Sequence, residues 1–245
     1  MKNVNQENKE IWNTNAGEWD KAMGEFGNDW HLQLIAPETE RLLNLKEGQF
    51  LLDAGCGNGI FSRRMANKGV KVTAFDFSET NIELSKKYSS DNIDYHVLDM
   101  TFEADLIQLT DKKYHGIVSN MVFMDVPEVE TFFSKINYLM KDDGHFVFSI
   151  QHPCFNSEFM EVTNEENILM KGYIDASTSK GKAVSEQKED QFYFHRPISY
   201  YINLGAKNGL VVDACIEPTF EKEVGGPFTK FPPILIISMR KLTNN

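Results

Sequence analysis

A strand, a glycine-rich loop and a helix follow one another between residues 50 and 68, and this unit constrains the fold more than any other part of the chain. The apolar run 50–52 leads to Asp53, and glycines then alternate at 55, 57 and 59 before an amphipathic stretch. Glycine lets the backbone approach a ligand and adopt dihedrals that other residues avoid. In open α/β sheets, ligands bind at the carboxyl ends of the strands, near the N-terminus of the following helix. The unit therefore predicts an α/β fold with a ligand cleft after its first strand.

The spacing of these glycines separates two classes of nucleotide-binding loop. The usual dinucleotide fingerprint places its third glycine at position 60, where this chain has Ile60. The observed spacing, G-x-G-x-G with Asp53 ahead of it, resembles motif I of the class I S-adenosylmethionine-dependent methyltransferases. The resemblance is good over residues 40–150, moderate over 197–241 and poor elsewhere. It implies S-adenosyl-L-methionine as the cofactor and methylation as the reaction.

The family resemblance also implies an architecture. We expect an α/β fold with a seven-stranded, mostly parallel Rossmann-like sheet, helices on both faces, an antiparallel last strand and a lid insertion after strand five. The chain has 245 residues, of which 41% are hydrophobic, enough to bury one sizeable core. We therefore expect a single domain over 1–245. Its expected parts are an N-terminal helical cap at 1–49, a cofactor-binding core at 50–150, a substrate-covering insertion at 151–196, and a C-terminal helix and hairpin at 197–245.

Charge and cysteine usage limit the partners and the compartment. A net charge of −11 and a pI near 5.0 argue against a nucleic-acid binder, which needs a basic face. Cys56, Cys154 and Cys215 are odd in number and far apart, which indicates reduced thiols in a cytoplasmic protein. No apolar run is long enough to span a bilayer, and the start lacks a signal-peptide core. We expect a cytoplasmic enzyme with a small-molecule partner and no membrane contact; the oligomeric state stays open.

The second strand pattern, residues 70–76, ends in an acidic residue. An acid at this point can accept hydrogen bonds from both hydroxyls of a ribose, which is the role we expect for Asp76. Phe77 beside it can pack against an adenine face. The alternative is that Asp76 caps the helix that begins near Glu79, because aspartate suits such a position.

The resemblance implies further cofactor contacts at the next two strand ends. Asp99 matches an acid that meets the adenine amino group, and Met100 supplies the neighbouring backbone amide, although an aspartate after a strand is often only a turn residue. Asn120 and Met121 match positions beneath the reactive sulfur, with Asp125 close by. The expected cofactor-binding residues are Asp53, Gly55, Cys56, Gly57, Asp76, Phe77, Asp99, Met100, Asn120 and Met121.

Later elements complete the expected sheet. Pro127 suits the first position of a helix whose apolar residues share one face, and the turn 142–144 is expected to precede a fifth strand at 145–150. A helix is expected at 198–207. The strand patterns 210–216 and 234–240 are joined without a helical period, so we expect an antiparallel hairpin. A reversed final strand resembles the methyltransferase sheet and not the parallel dinucleotide-binding one.

Candidate catalytic groups lie at the two ends of the insertion. His152 and His195 are candidates for a general base, but each lies at or next to a proline-linked turn where an imidazole can instead bond the backbone. Arg196 either grips an anionic substrate or covers a helix end. Trp12 and Trp19 either close over the cleft, as N-terminal segments of the resembled family do, or pin a helix to the core. No residues have metal-ligand spacing, so no metal site is expected.

The sequence therefore predicts an S-adenosylmethionine-dependent methyltransferase, a transferase that moves a methyl group to a small-molecule acceptor by in-line displacement. The alternatives are an RNA or protein methyltransferase, a non-catalytic nucleoside-binding protein, and a nicotinamide-dependent oxidoreductase on a similar sheet. Ile60 and the terminal hairpin argue against the last of these. The acceptor itself is not indicated by any residue pattern.

Overall fold

A seven-stranded sheet forms the centre of the computed structural model, which describes residues 4–88, 91–164, 167–221 and 226–242. Its strand order is β10-β11-β5-β4-β1-β2-β3. Strands β1 to β5 pair in parallel, and β11 is antiparallel to both of its neighbours. The expected mostly parallel sheet with a reversed last strand is confirmed. The strands are β1 Phe50–Ala54, β2 Lys71–Asp76, β3 Ile93–Val97, β4 Tyr114–Asn120, β5 Met140–Gln151, β10 Leu210–Ile216 and β11 Ile234–Lys241.

Helices cover both faces of this sheet. Apolar residues of α2 and α3 pack on one face, and those of α5, α6 and α7 pack on the other. A π-helical turn, Trp30–Ile35, leads directly into α2, and short 3-10 turns occupy Phe123–Asp125 and Gly226–Thr229. The helices are α1 Val4–Met23, α2 Ala36–Leu43, α3 Ile60–Ala66, α4 Glu79–Lys86, α5 Glu103–Ile107, α6 Glu130–Leu139 and α7 Ile198–Lys207.

The central strands are apolar on both sides because both sides are covered. Along β5, Phe146 and Phe148 point to one core and Val147 to the other. Phe123 lies at the centre of an aromatic cluster, with the ring of Phe148 at 5.2 Å and that of Phe133 at 5.4 Å. This two-sided burial is the pattern expected of parallel strands and explains their continuous apolar runs.

Two local expectations were wrong. Helix α6 begins at Glu130, three residues after Pro127, because the side chain of Glu128 accepts a hydrogen bond from the Thr131 amide at 2.7 Å and satisfies the first turn. Strand β5 begins at Met140, and the expected turn 142–144 lies inside it. The pairing with β4 shifts there, and Gly144 lets the backbone pack closely against the carbonyls of His115 and Lys141.

The described residues between β5 and Arg196 include two antiparallel strand pairs outside the main sheet. The first pairs β6 Met160–Asn164 with β7 Asn167–Met170, and the second pairs β8 Thr178–Gly181 with β9 Gln191–Phe194. Helix α7 follows at the position expected from the sequence. Among the described helices, none combines the length and the apolar character needed to cross a membrane.

Candidate active site

The carboxyl ends of β1 to β4 open into one cavity of about 680 Å³. Helix α1, the π-helical turn and residues of the 151–196 insertion also line it. All of the residues that the sequence predicts for cofactor binding lie on its wall: Asp53, Gly55, Cys56, Gly57, Asp76, Phe77, Asp99, Met100, Asn120 and Met121. Residues from four strand ends are thus brought together at one site.

The three glycines of the loop after β1 are required for different reasons. All have positive φ angles, +75°, +54° and +79° at Gly55, Gly57 and Gly59, which side chains disfavour. A Cβ on Gly55 would meet Val122 at 2.6 Å, and one on Gly59 would meet the Tyr95 hydroxyl at 2.3 Å. A Cβ on Gly57 would meet no atom within 4 Å. Gly57 therefore leaves open space beside its backbone, where a ligand can come close.

Asp53 is buried at the end of β1. Its carboxylate accepts a hydrogen bond from the Ser62 hydroxyl on α3 at 2.6 Å. Burial raises the pKa of Asp53 to about 7, and the nearby Asp76 adds to the rise. The group is therefore poised to change its charge near neutral pH when a charged ligand binds.

Asp76 connects the glycine loop to the start of α4. One carboxylate oxygen accepts from the Gly57 amide at 3.0 Å, and the other accepts from the Ser78 amide at 2.9 Å. The helix cap itself is Ser78, whose hydroxyl accepts from the Asn81 amide, so the alternative role of Asp76 as the N-cap is wrong. Burial raises the pKa of Asp76. The oxygen that accepts from Ser78 also accepts from the Asn81 side chain at 3.4 Å, so the oxygen that accepts from Gly57 is the one with acceptor capacity left for a ligand hydroxyl.

Asp99 is held by helix α1. The side-chain amide of Asn5 donates to its carboxylate at 2.7 Å, and the amide and hydroxyl of Thr101 donate to the other oxygen. The main-chain amide of Asp99 donates to the Asp105 carboxylate. The expected adenine-binding acid is thus in direct contact with the helix that covers the site.

Asn120 is the last residue of β4, and Met121 follows it. The side-chain oxygen of Asn120 accepts from Thr39 of α2 and Ser149 of β5, while its Nδ2 is buried with no partner among the described residues. Met121 has a φ of +58°, unusual for a side-chain-bearing residue, and turns the chain away from the sheet. No sequence signal points to this left-handed methionine.

The sequence placed Asp125 close to the expected position of the sulfur but indicated no role for it in binding or catalysis. It ends the 3-10 turn after β4 and is buried. Its Oδ1 accepts from the Gln191 side chain of β9 at 3.1 Å, and Gln191 in turn accepts from Gln187 at 2.8 Å. Burial raises the pKa of Asp125 well above its usual range. A polar chain within the insertion therefore ends on a carboxyl group at the site.

Helix α1 lies over the cavity and is attached mainly by asparagines. Asn8, which is fully buried, donates to the main-chain carbonyl of Asp125 at 2.6 Å. Asn15 donates to the Glu189 carbonyl and accepts from the Glu189 amide. Trp12 and Trp19 line the cavity with their ring centroids 5.5 Å apart.

The structure does not bring His152 or His195 to the cavity. His152 is fully buried; its Nδ1 accepts from the amides of Cys154 and Phe155, and its Nε2 contacts Glu217 at 2.9 Å. His195 is buried, with Nε2 at 2.8 Å from the Tyr173 carbonyl. Neither histidine is among the described residues that line the cavity. Both make the turn contacts that were the alternative to a catalytic role.

Arg196 also has a structural position. Its guanidinium donates to the main-chain carbonyls of Phe123, Val126 and Pro127, at 2.8 to 3.0 Å. It thereby holds the turn that carries Asp125 and covers a helical end, as the second of its two expected roles requires. Within the described ranges, no group of three or more His, Cys, Asp or Glu side chains could hold a metal ion.

The chain is similar to proteins of a known family. A family model described as a methyltransferase domain matches residues 29–210. The chain belongs to this family. It is 27% identical over 195 residues to a ubiquinone biosynthesis O-methyltransferase of Vibrio atlanticus, covering 74% of this chain and 72% of the relative. The corresponding Pasteurella multocida protein is 26% identical over 185 residues, covering 69% and 74%.

The fold of the chain matches that of a solved methyltransferase structure. A solved S-adenosylmethionine-dependent methyltransferase from Mesorhizobium loti superposes with a TM-score of 0.68 at 20% identity, covering 84% of this chain and 96% of that one. At this identity the likeness concerns the fold alone. The family match identifies the chain as a methyltransferase, and the shared fold agrees with this.

Proposed function

We propose that this methyltransferase transfers the methyl group to an oxygen atom of a small molecule held between the strand ends and the 151–196 insertion. The observation that carries the proposal is the single cavity of about 680 Å³, which the strand ends and the insertion line together. This volume lies within the ~300–1,000 Å³ of small-molecule sites. A polymer would need an open groove, and the net charge of −11 further argues against RNA.

The cavity offers the groups that S-adenosylmethionine requires. Asp76 would accept from the ribose hydroxyls beside Phe77, Asp99 would accept from the adenine amino group, and the amide of Met100 would meet the ring. Buried N–H groups of Trp19 and Asn120 have no partner among the described residues and are available for the cofactor's carboxylate. The methionine part would lie along Asp53, Gly55, Cys56 and Gly57, with Asn120 and Met121 near the sulfur.

The chain's own contribution to the reaction is alignment and exclusion of water. When bound, the cofactor supplies a methyl group already activated on a positively charged sulfur. Orientation of two reactants in one closed site contributes on the order of several kcal/mol to lowering the barrier. Trp12 and Trp19 above the strand ends, and the hairpin β8–β9 beside them, provide the enclosure.

An oxygen acceptor is favoured over nitrogen or carbon by the relatives, which are named O-methyltransferases. The size of the cavity, about 680 Å³, supports a small molecule over an RNA or protein acceptor. The three described cysteines are all unpaired thiols, which supports a cytoplasmic location.

The test has two stages. Calorimetric titration with S-adenosylmethionine, S-adenosylhomocysteine and a reduced nicotinamide cofactor should show micromolar binding of the first two and none of the third. A screen with methyl-labelled donor should then transfer label to small phenols and alcohols, and not to total RNA or denatured protein. Binding without transfer to any acceptor class would support a non-catalytic nucleoside-binding protein, and no binding of the sulfur ligands would overturn the assignment.

A further inference from the structure

Asp125 is a buried carboxyl group that faces the cavity without a cationic partner. Its side chain is 6% exposed, and Oδ1 accepts its one side-chain hydrogen bond, from Gln191. Over the described residues, no lysine, arginine or histidine forms an ion pair with it, and Oδ2 has no hydrogen-bond partner. A neutral amide is therefore its main support.

Three charged or titratable groups on the elements around Asp125 form no ion pair with it. Arg196, the nearest guanidinium on the adjoining chain, donates to main-chain carbonyls. Lys180 of β8 pairs with Glu7 at 2.5 Å. Tyr201 of α7 is a neutral phenol whose pKa is raised to about 12. The other titratable groups that face the cavity are Asp53, Asp76 and Asp99 from the strand ends, His31 from the π-helical turn, Lys182, Glu158 and Tyr193 from the insertion, and Cys56 from the glycine loop.

This environment disfavours the charged form of Asp125. Burial without a cation makes ionisation of a carboxyl group costly, so the group stays protonated, and its raised pKa agrees with this. A cation placed beside the group reverses the balance, because an opposite charge within about 4–6 Å favours the carboxylate. The protonation state of Asp125 therefore depends on whether a positive charge lies beside its carboxyl group.

Asp125 lies on the side of the cavity left for the sulfur. The acids proposed for ribose and adenine, Asp76 and Asp99, follow β2 and β3. Asp125 follows β4, on the opposite side of β1, and is tied through Gln191 to the insertion proposed to hold the acceptor. The reacting end of the donor belongs between these two regions.

We propose that the Asp125 carboxyl distinguishes the charged methyl donor from its neutral product, releasing its proton when the sulfonium enters the cavity and regaining one when it is gone. The proposal rests on the cofactor placement given above. On donor binding, the O–H bond of Asp125 breaks and the proton passes to solvent, leaving a carboxylate opposite the positive sulfur. After methyl transfer the sulfur is neutral, and the carboxylate takes up a proton from solvent. The charged donor is thus bound in preference to the product.

Calorimetry in two buffers of different ionisation enthalpy counts the protons released on binding. At pH 7 we expect wild-type protein to release about one proton more with S-adenosylmethionine than with S-adenosylhomocysteine. Protons from Asp53 and Asp76 cancel in this difference, because the two ligands carry the same ammonium and ribose groups. In Asp125→Asn the difference should vanish, and the preference for donor over product should fall by about tenfold, or ~1.4 kcal/mol.

Two further variants keep the test decisive if Asp125→Asn fails to fold. Asp125→Glu retains a carboxyl group and should keep the extra proton. Gln191→Leu removes the hydrogen bond that stabilises the carboxylate, so the pH above which the extra proton disappears should move upward. Asp143→Asn, at an exposed position outside the cavity, is the control and should match wild type.

The outcomes separate the two proposals. Equal proton counts for donor and product in wild type, or a difference that persists in Asp125→Asn, would overturn the role of Asp125 while leaving the methyltransferase assignment intact. Failure of wild type to bind either sulfur ligand would instead overturn the proposed function.

Discussion

The two sides of the cavity are built differently. The sheet side, formed by the ends of β1 to β4, rests on a continuous apolar core that includes Leu52, Phe123 and Phe132. The cap side, formed by α1 and residues 151–196, is attached to the sheet side through hydrogen bonds such as those of Asn8 with the Asp125 carbonyl and of Asn5 with the Asp99 carboxylate. The apolar cluster that joins α1 to β9 has three members: Ile11, Phe192 and Phe194.

Because of this difference, the sheet side can stay rigid while the cap side, where ligands enter, can move. Apolar packing is lost only when a large area is exposed to water, whereas a few hydrogen bonds exchange with water at small net cost. The cap side can therefore open locally while the sheet remains folded. We expect exchange of cofactor and product to occur by this local opening.

The largest loss of stability is expected from a change in the core of the sheet side. Phe132→Ala removes a fully buried ring whose neighbours include Phe75 at 6.1 Å and Phe123 at 6.2 Å. We expect the free energy of unfolding to fall by ~3–5 kcal/mol, because the packed core cannot collapse around the space. Urea denaturation measures this, and Tyr138→Ala on the exposed side of the same helix is the control. An equal loss in both variants would contradict the rigid sheet side.

The next effect removes a ligand group from the sheet side without breaking its core. Asp76→Ala should weaken binding of S-adenosylhomocysteine about 100-fold, since hydrogen bonds to a charged acceptor contribute ~1.5–3 kcal/mol each. Calorimetry measures the dissociation constant, and circular dichroism should show a retained fold. Asp94→Ala, an exposed acid on β3, is the matched control. An unchanged dissociation constant in Asp76→Ala would remove its ribose-binding role.

A smaller effect is expected on the cap side. Asn8→Ala leaves the Asp125 carbonyl without its donor. The free energy that holds α1 over the cavity should therefore fall by ~1–2 kcal/mol, and cofactor affinity should fall about 5–30-fold. Hydrogen exchange should accelerate in α1 while the amides of β1 and β4 keep their protection. Gln6→Ala, at an exposed position on the same helix, is the control. Accelerated exchange throughout the sheet would show that cap and sheet unfold together.

A separate prediction concerns the pH dependence of the ligand-free protein. Asp53 has its pKa raised by burial from 3.8 to about 7, so the folded state holds a proton that the unfolded state has lost. Stability should be highest below about pH 4 with respect to this group, and should fall by up to ~1.4 kcal/mol per pH unit as pH rises towards 7.

Urea denaturation from pH 5 to 8 measures this slope. Asp53→Asn should reduce the decline without abolishing it, because Asp76 has a pKa raised in the same direction. Asp94→Asn, at an exposed position on β3, should leave the slope unchanged. Stability that rises with pH over this range in wild type would show that these carboxyl groups are not held protonated in the folded state.

Local signals predicted the sheet side well. The glycine spacing, the alternating strand patterns and the acids at strand ends depend on residues that are neighbours in sequence, and the cavity contains every residue selected from them. Where two local signals competed, the outcome depended on side-chain contacts. Helix α6 does not begin at Pro127, because Glu128 accepts from the Thr131 amide in its first turn. The expected turn 142–144 is part of β5.

Hydrophobic periodicity and glycine placement, which act within a few residues, were enough to predict an α/β sheet with a reversed last strand and a ligand cleft after its first strand. The cover of the site depends instead on long-range packing. The contacts of Asn8 with Asp125 and of Gln191 with Asp125 join residues 117 and 66 positions apart, and no local pattern encodes such pairs. The same long-range packing directed His152 and His195 into backbone contacts and left Asp125 facing the cavity.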